Sequence, residues 1–173
     1  MGAQLKGQAM RAVAFSLLGM LVYLAFRFEW IYGVAAVITV FHDTLITVGA
    51  FSLANKEISL TVIAAILTLI GYSNNDTIVI FDRIRENLRI RRREHEVTMI
   101  NNAINQVLSR TIVTSLTVVL VLIPLTLAGG EVLHDFSLAL LWGVIFGTYS
   151  SVFVASPLLL LWPGGSGRLL KRA

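Results

Sequence analysis

The sequence predicts an all-α, polytopic membrane bundle of five spanning helices, with a short amphipathic helix on the cytoplasmic side. Three observations carry that expectation. Of 173 residues, 56% are hydrophobic and 14% charged, where an average soluble domain carries about 25% charged residues; the mean hydropathy is +0.79. The apolar residues are gathered into runs long enough to cross about 30 Å of hydrocarbon. The basic residues are gathered between and after those runs, where membrane proteins use them to set orientation. Composition therefore excludes a soluble enzyme or nucleic-acid-binding domain, despite a pI of 9.9. With no cysteine, disulfides and thiolate metal sites are excluded too.

The spans follow in order. The first covers about 12–26 and the second about 31–54, with Trp30 and Tyr32 placed as interfacial anchors. The third covers about 58–81 and the fourth about 111–128. The fifth, about 136–162, ends at Trp162 and is long enough to tilt or kink. Pro124 and Pro157 fall inside the last two, where neighbouring helices must cover the freed backbone groups. In the connection 83–109, residues 83–96 are mostly charged. From Val97, apolar residues recur at Ile100, Ile104, Val107 and Leu108, with Asn101, Asn102, Asn105 and Gln106 between them. That stripe is expected to form a surface helix before the chain turns into the fourth span. All of 1–173 reads as a single membrane domain.

Orientation follows from the basic residues. Arg83, Arg85, Arg89, Arg91, Arg92, Arg93 and Arg110 border one connection, which the positive-inside rule places in the cytoplasm. Alternation puts Arg27 and the tail (Arg168, Lys171, Arg172) inside as well. Only Lys6, Arg11 and Lys56 of the 14 basic residues fall outside. The N-terminus is then outside, yet residues 1–11 hold no apolar segment to carry it there. A further span, with an external domain, is expected upstream. The arginine cluster reads as an inside anchor, with binding to anionic lipid or a cytoplasmic partner as the alternative.

The informative residues are the ionisable ones at hydrocarbon depth. An Asp at mid-helix costs about 2.5–3.5 kcal/mol on insertion scales, against gains of about 0.3–0.6 for each Leu, Ile, Phe or Val. Asp43 lies near the middle of the second span beside His42, and Thr39, Asp43 and Thr47 share one helix face. A hydrogen-bonded structural role and a functional one are both open to Asp43, and His42 is on a different face. Asp76 sits in the densest polar cluster of any span, Gly71-Tyr72-Ser73-Asn74-Asn75-Asp76-Thr77. Such an acid is neutral when buried alone and ionised beside a cation, so it can load and release a proton. The candidate cation is Arg110, which begins a stripe with Thr114 and Thr117 able to face Asp76. A static ion pair is the alternative. Gly143-Val-Ile-Phe-Gly147 permits close helix approach. No hydrolase, zincin, P-loop or dinucleotide motif occurs, so catalysis is unsupported.

The run Gly71–Thr77, followed by Val79-Ile80-Phe81-Asp82-Arg83-Ile84-Arg85-Glu86-Asn87, resembles the signature of the SecF family. SecF is the smaller half of the SecD–SecF protein-export membrane complex, in the resistance–nodulation–division superfamily. Phe26-Arg27-Phe28-Glu29-Trp30, His42-Asp43, and Leu108-Ser109-Arg110-Thr111 with Thr114-Ser115 support the match. The resemblance implies the last five of six spans, without the first helix and the periplasmic domain. It implies a non-enzymatic subunit that couples proton movement to late, ATP-independent translocation. The family's proton-pathway carboxylate falls on Asp76 and its arginine on Arg110, with Asp43, His42, Asn75 and Thr114 as secondary polar positions. The coupling ion would be a proton, or sodium, with no other cofactor. Partners would be SecD, the SecYEG translocon, YajC, the translocating preprotein and lipid, in a bacterial or archaeal cytoplasmic membrane. Asn74 departs from the pattern, which usually has an apolar residue there. The competing readings are a structural subunit without coupling, another exporter of the superfamily, and an intramembrane aspartyl protease built on Asp43 and Asp76. The last lacks the Gly-x-Gly-Asp it would need, since Ser73-Asn74-Asn75 precede Asp76.

Overall fold

The computed structural model describes residues 2–27, 30–90 and 95–161, all of them helical apart from short connections. Its helices are α1 (Gly2–Arg27), α2 (Trp30–Leu53), α3 (Leu60–Ile90), α4 (Glu96–Ala128), α5 (Gly130–Ser150) and α6 (Ser156–Leu160). A π-helical turn, Ser151–Ala155, joins the last two into one element. Trp162, Arg91 to Arg93 and the basic tail lie outside the described residues. Four stretches are long and apolar enough to cross a membrane: α2, α3, α4 and Gly130–Leu160. In α1 the apolar part is shorter, Arg11–Leu24.

Three expectations change. The stripe from Val97 does not lie apart as a surface helix. It forms the first turns of α4, which runs unbroken into the fourth span. Nothing between 97 and 123 can stop it, since no Gly or Pro occurs there, and Met99, Ile100 and Ala103 are buried against α3 and its neighbours. Likewise α3 continues past the predicted span, because Ile84 and Leu88 keep an apolar face buried among charged residues. Tyr32, expected as an interfacial anchor, is only 1% exposed and packs edge-on against Phe81 at 5.3 Å. Trp30 does face outward, 53% exposed.

The interior is layered. One apolar cluster, at the end of the bundle that carries Arg83 to Arg89, joins Tyr32, Ile80, Phe81, Ile84, Met99, Ile100 and Leu159. A second, toward the opposite end, joins Val40, Phe51, Val62, Ile66, Leu69, Leu122, Leu140 and Val144. Between them, on α3, α4 and the last span, lies a belt of buried polar side chains: Ser73, Asn74, Asp76, Thr77, Thr111, Ser115, Ser150 and Ser151. The π turn falls inside this belt. It ends two residues before Pro157, whose ring would collide with the carbonyl four residues back in a regular helix. At the opposite end, Gly130 adopts a φ of +74° in the α4–α5 turn, and Lys56 Nζ meets Asp135 Oδ1 at 3.1 Å.

Candidate functional site: a buried polar belt

Asp43 is fixed on both oxygens. Its helix brings Thr39, Asp43 and Thr47 to one buried face, as their spacing predicts. Both threonines bond back to their own helix, Thr39 to the Ala35 carbonyl at 2.9 Å and Thr47 to that of Asp43 at 2.8 Å, which leaves the Asp43 carboxyl free to reach across. Ser73 of α3 donates to Oδ2 at 2.5 Å, and His42 Nδ1 lies 3.1 Å from Oδ1. His42 thus folds back onto its neighbour from the half-exposed side. The α3–α5 crossing is tight here: a Cβ on Gly147 would sit 3.3 Å from Ser73 Oγ and 3.6 Å from Asp43 Oδ2. Gly143 in turn has the Leu69 side chain against it, with no room for a Cβ. The two glycines are what lets the clasp close.

Asp76 is different. It is 4% exposed, and its Oδ2 has no hydrogen-bond partner among the described residues. Arg110 makes no ion pair with Asp76 and is exposed. It opens on a recess of about 420 Å³ nearer the basic end, lined also by Tyr23, Asp82, Arg83, Glu86 and Gln106. There Arg83 Nε donates to Gln106 Oε1 at 2.6 Å and Arg83 pairs with Glu86.

The stripe Arg110, Thr114, Thr117 faces out of the chain rather than toward Asp76. Thr114 spends its hydroxyl on the Arg110 and Thr111 carbonyls of its own helix. The inward face is one residue further on: Thr111, Ser115 and Leu122 are buried. Asn75 is likewise exposed, while Asn74 is buried with its Oδ1 unpartnered. Ser115 is the polar centre of that face. Tyr72 donates to it at 3.4 Å, and it meets Thr148 Oγ1 of α5 at 2.7 Å.

Asp43 and Asp76 do not share a proton between them as a protease dyad would, since both Asp43 oxygens are held by Ser73 and His42. The cavity of about 760 Å³ between the first turns of α4 and the last span has a mostly apolar lining and no carboxylate.

An all-helical bundle with buried carboxylates and hydroxyls at mid-depth, and an arginine toward one end, has the build of a membrane transport subunit. Residues 1–164 match the family model of the protein export membrane protein SecD/SecF, C-terminal. The chain belongs to that family. SecF of Koribacter versatilis is 60% identical over 169 residues, covering 96% of this chain and 42% of the relative. SecF of Endomicrobium trichonymphae is 47% identical over 173 residues, covering 99% and 56%. The chain thus spans about half the length of these SecF relatives. The SecDF subunit of Thermus thermophilus is 47% identical over 161 residues, covering 93% of this chain and 22% of that one. The crystal structure of Thermus SecDF, described as a translocon-associated membrane protein, superposes with a TM-score of 0.79 at 49% identity, over 82% of this chain and 20% of that one. A SecDF structure in a super-membrane-facing form gives 0.80.

Proposed function

We propose that this chain is the membrane part of a SecF-type subunit that couples proton movement to the late, ATP-independent stage of protein export. One observation carries the reading most: Asp76 is buried between two apolar clusters with one oxygen unpartnered, and a cation, Arg110, lines the adjoining recess. A carboxyl so placed suits a group that holds a proton in one state and meets the guanidinium in another. The membrane potential supplies about 2.3 kcal/mol per charge per 100 mV, enough to bias a switch of a few kcal/mol. Sodium as the coupling ion is the other possibility the chemistry leaves open, and replacing sodium in the assay decides it.

The basic end is cytoplasmic in this reading, with the N-terminus outside. The partner is a SecD subunit, which the fused Thermus relative carries in name within one chain. The exposed face of α4 supports this. Only 22% of its most apolar window is buried inside the chain, against 50% for α3. That face carries Arg110, Thr114 and Thr117, which protein covers better than lipid. The SecYEG channel, YajC and an emerging preprotein complete the assembly.

The test uses the full-length subunit in its complex. Asp76→Asn and Arg110→Met should each abolish proton-driven export in membrane vesicles while the complex still co-purifies. Normal export in both variants would overturn the reading. Impaired assembly with normal activity per assembled complex would leave a structural subunit in its place.

A further inference from the structure

Thr39, Thr47, Thr77 and Thr111 are the buried threonines among the described residues. The first three close on their own helix, each donating to the carbonyl four residues back, at 2.9, 2.8 and 3.2 Å. A threonine inside a helix commonly satisfies its hydroxyl in this way. Thr111 does not. It is 1% exposed, and its Oγ1 has no hydrogen-bond partner among the described residues. The same is true of Asp76 Oδ2. Such atoms are rare in a native interior, and a bound water or ion is a usual reason for them.

The two atoms belong to one seam. α3 and α4 run antiparallel, since Tyr72 meets Ser115 at one level of their contact and Asn87 meets Gln106 at another. One turn from Tyr72 toward the basic end is Asp76, on the same face of α3. One turn from Ser115 in the same direction is Thr111, on the same face of α4. The next level is the recess, where Ile78 and Val79 of α3 lie with Arg110 of α4. Asp76 and Thr111 are therefore opposite each other, bracketed by contacts on both sides. They do not bond directly, because each would then be the other's partner.

We propose that one buried water bridges Asp76 Oδ2 and Thr111 Oγ1, and that Thr111 positions it as the proton's step between Asp76 and the recess. A carboxyl and a hydroxyl suit this occupant. A buried water is held by about two to four polar partners, whereas a hard cation takes about six oxygens. The Thr111 hydroxyl can donate or accept, so it keeps the water in both states of Asp76. A neutral Asp76 donates to the water, and an ionised one accepts from it in a charge-assisted bond. In passing, the water takes the carboxyl proton and gives one of its own on the recess side, so one proton moves and the water remains. The inference rests on the proton-coupling reading and adds the residue that fixes the proton's route.

The other charged and titratable groups around Asp76 leave this step to the water. Tyr72, on its own helix, donates to Ser115. On α2, Asp43 is held by Ser73 and His42. Arg110 of α4 and Tyr23 of α1 line the recess with Asp82, Arg83 and Glu86. The last span has no charged residue over 136–161, and its Tyr149 is exposed.

The test is difference infrared spectroscopy on vesicles carrying the full-length complex, taken between high and low pH in ordinary and oxygen-18 water. The carboxyl band that Asp76→Asn removes marks the titration of Asp76. Alongside it, a water O–H stretching band should move to lower wavenumber in oxygen-18 water. Thr111→Val should abolish that water band and impair proton-driven export, and Thr111→Ser, which keeps the hydroxyl, should restore both. If Thr111→Val assembles poorly, the same comparison is read between Thr111→Ala and Thr111→Ser. A water band or wild-type export that survives loss of the hydroxyl overturns the proposal, as does failure of Thr111→Ser to restore them. A band that vanishes when choline replaces sodium overturns it too, since the occupant is then a cation. Normal export by Asp76→Asn, with the water band still dependent on Thr111, defeats the proton-coupling reading and leaves the site standing. An inactive Asp76→Asn beside a wild-type Thr111→Val defeats the site alone.

Discussion

Asp43 and Asp76 are carboxylates on neighbouring helices, 1% and 4% exposed, and burial alone cannot tell them apart. Their partners do. Asp43 is gripped by a serine from α3 and by its own neighbouring histidine, in a crossing kept open by glycines. Asp76 keeps an oxygen unpartnered, while the Ser115 hydroxyl of α4 is bonded to Thr148 and Arg110 stands off in a recess. A native interior tolerates few unpartnered buried polar atoms, and each calls for an explanation in function or strain. The comparison gives the two aspartates different settings: Asp43 ties α2 to α3, and in the proposed function Asp76 is the group that changes state.

The largest effects come from replacing each carboxylate by a leucine. Asp76→Leu removes a polar group whose bonds are incomplete, and exchanging such a group for an apolar one is often neutral or stabilising. The complex should melt no lower than wild type, while proton-driven export falls by about 10² or more, the low end of what a positioned proton-transfer group contributes. Asp43→Leu strands the Ser73 hydroxyl and overfills a tight crossing. It should destabilise by about 1–3 kcal/mol, the cost of leaving a buried donor without its partner, seen as a lower melting temperature of the purified complex. If Asp76→Leu lost the stability and Asp43→Leu only the activity, the assignment would be reversed.

A smaller effect probes the crossing. In Gly147→Ala the added methyl presses on Ser73 Cβ and Oγ at 3.3 Å and approaches Asp43 Oδ2 at 3.6 Å. Overpacking of this kind costs about 1–3 kcal/mol. The melting temperature should fall, and adding Asp43→Leu to it should cost less than the sum, because both damage the same clasp. Simple additivity would separate the glycine from the aspartate.

Much of this was legible in the chain. The spans, the inward face of Thr39, Asp43 and Thr47, and the two buried aspartates follow from hydropathy and helical spacing. The inward face of α4 did not, for a traceable reason. Treating 97–109 as a separate surface helix discards its phase. In one continuous helix, the buried residues Ile100 and Ala103 carry the stripe on through Thr111 and Ser115 to Leu122, about 100° round from the Arg110–Thr114–Thr117 stripe. On α3, Asn75, to which the family resemblance points, is exposed, and Asn74 is buried. Tyr32 was misplaced because an aromatic at a span's end suits either a membrane interface or a core. Only its contact with Phe81, far away in sequence, decides between them. The bond of Ser115 to Thr148 could not be read at all, since it depends on a hydroxyl from another helix.

Thr114 gives the smallest effect and the finest test, because it adjoins Ser115 on the other side of α4. Its hydroxyl bonds only to carbonyls of its own helix, and the residue is exposed. Thr114→Val therefore removes no contact between helices of this chain. Its cost to the stability of the subunit should stay within about 0.5 kcal/mol, as for substitutions away from packed features, whereas Ser115→Val one position on breaks a tie between α4 and α5. What the pair adds is a reading of the outer face. If Thr114→Val leaves the subunit's melting unchanged but loosens its complex with SecD, then the polar stripe that begins at Arg110 is a contact surface. Arg110 then stands at a boundary between two chains, where movement of one against the other can carry it toward Asp76 or away. If melting and assembly are both unchanged, the stripe faces lipid, and Arg110 must reach Asp76 by its own side-chain motion within this bundle.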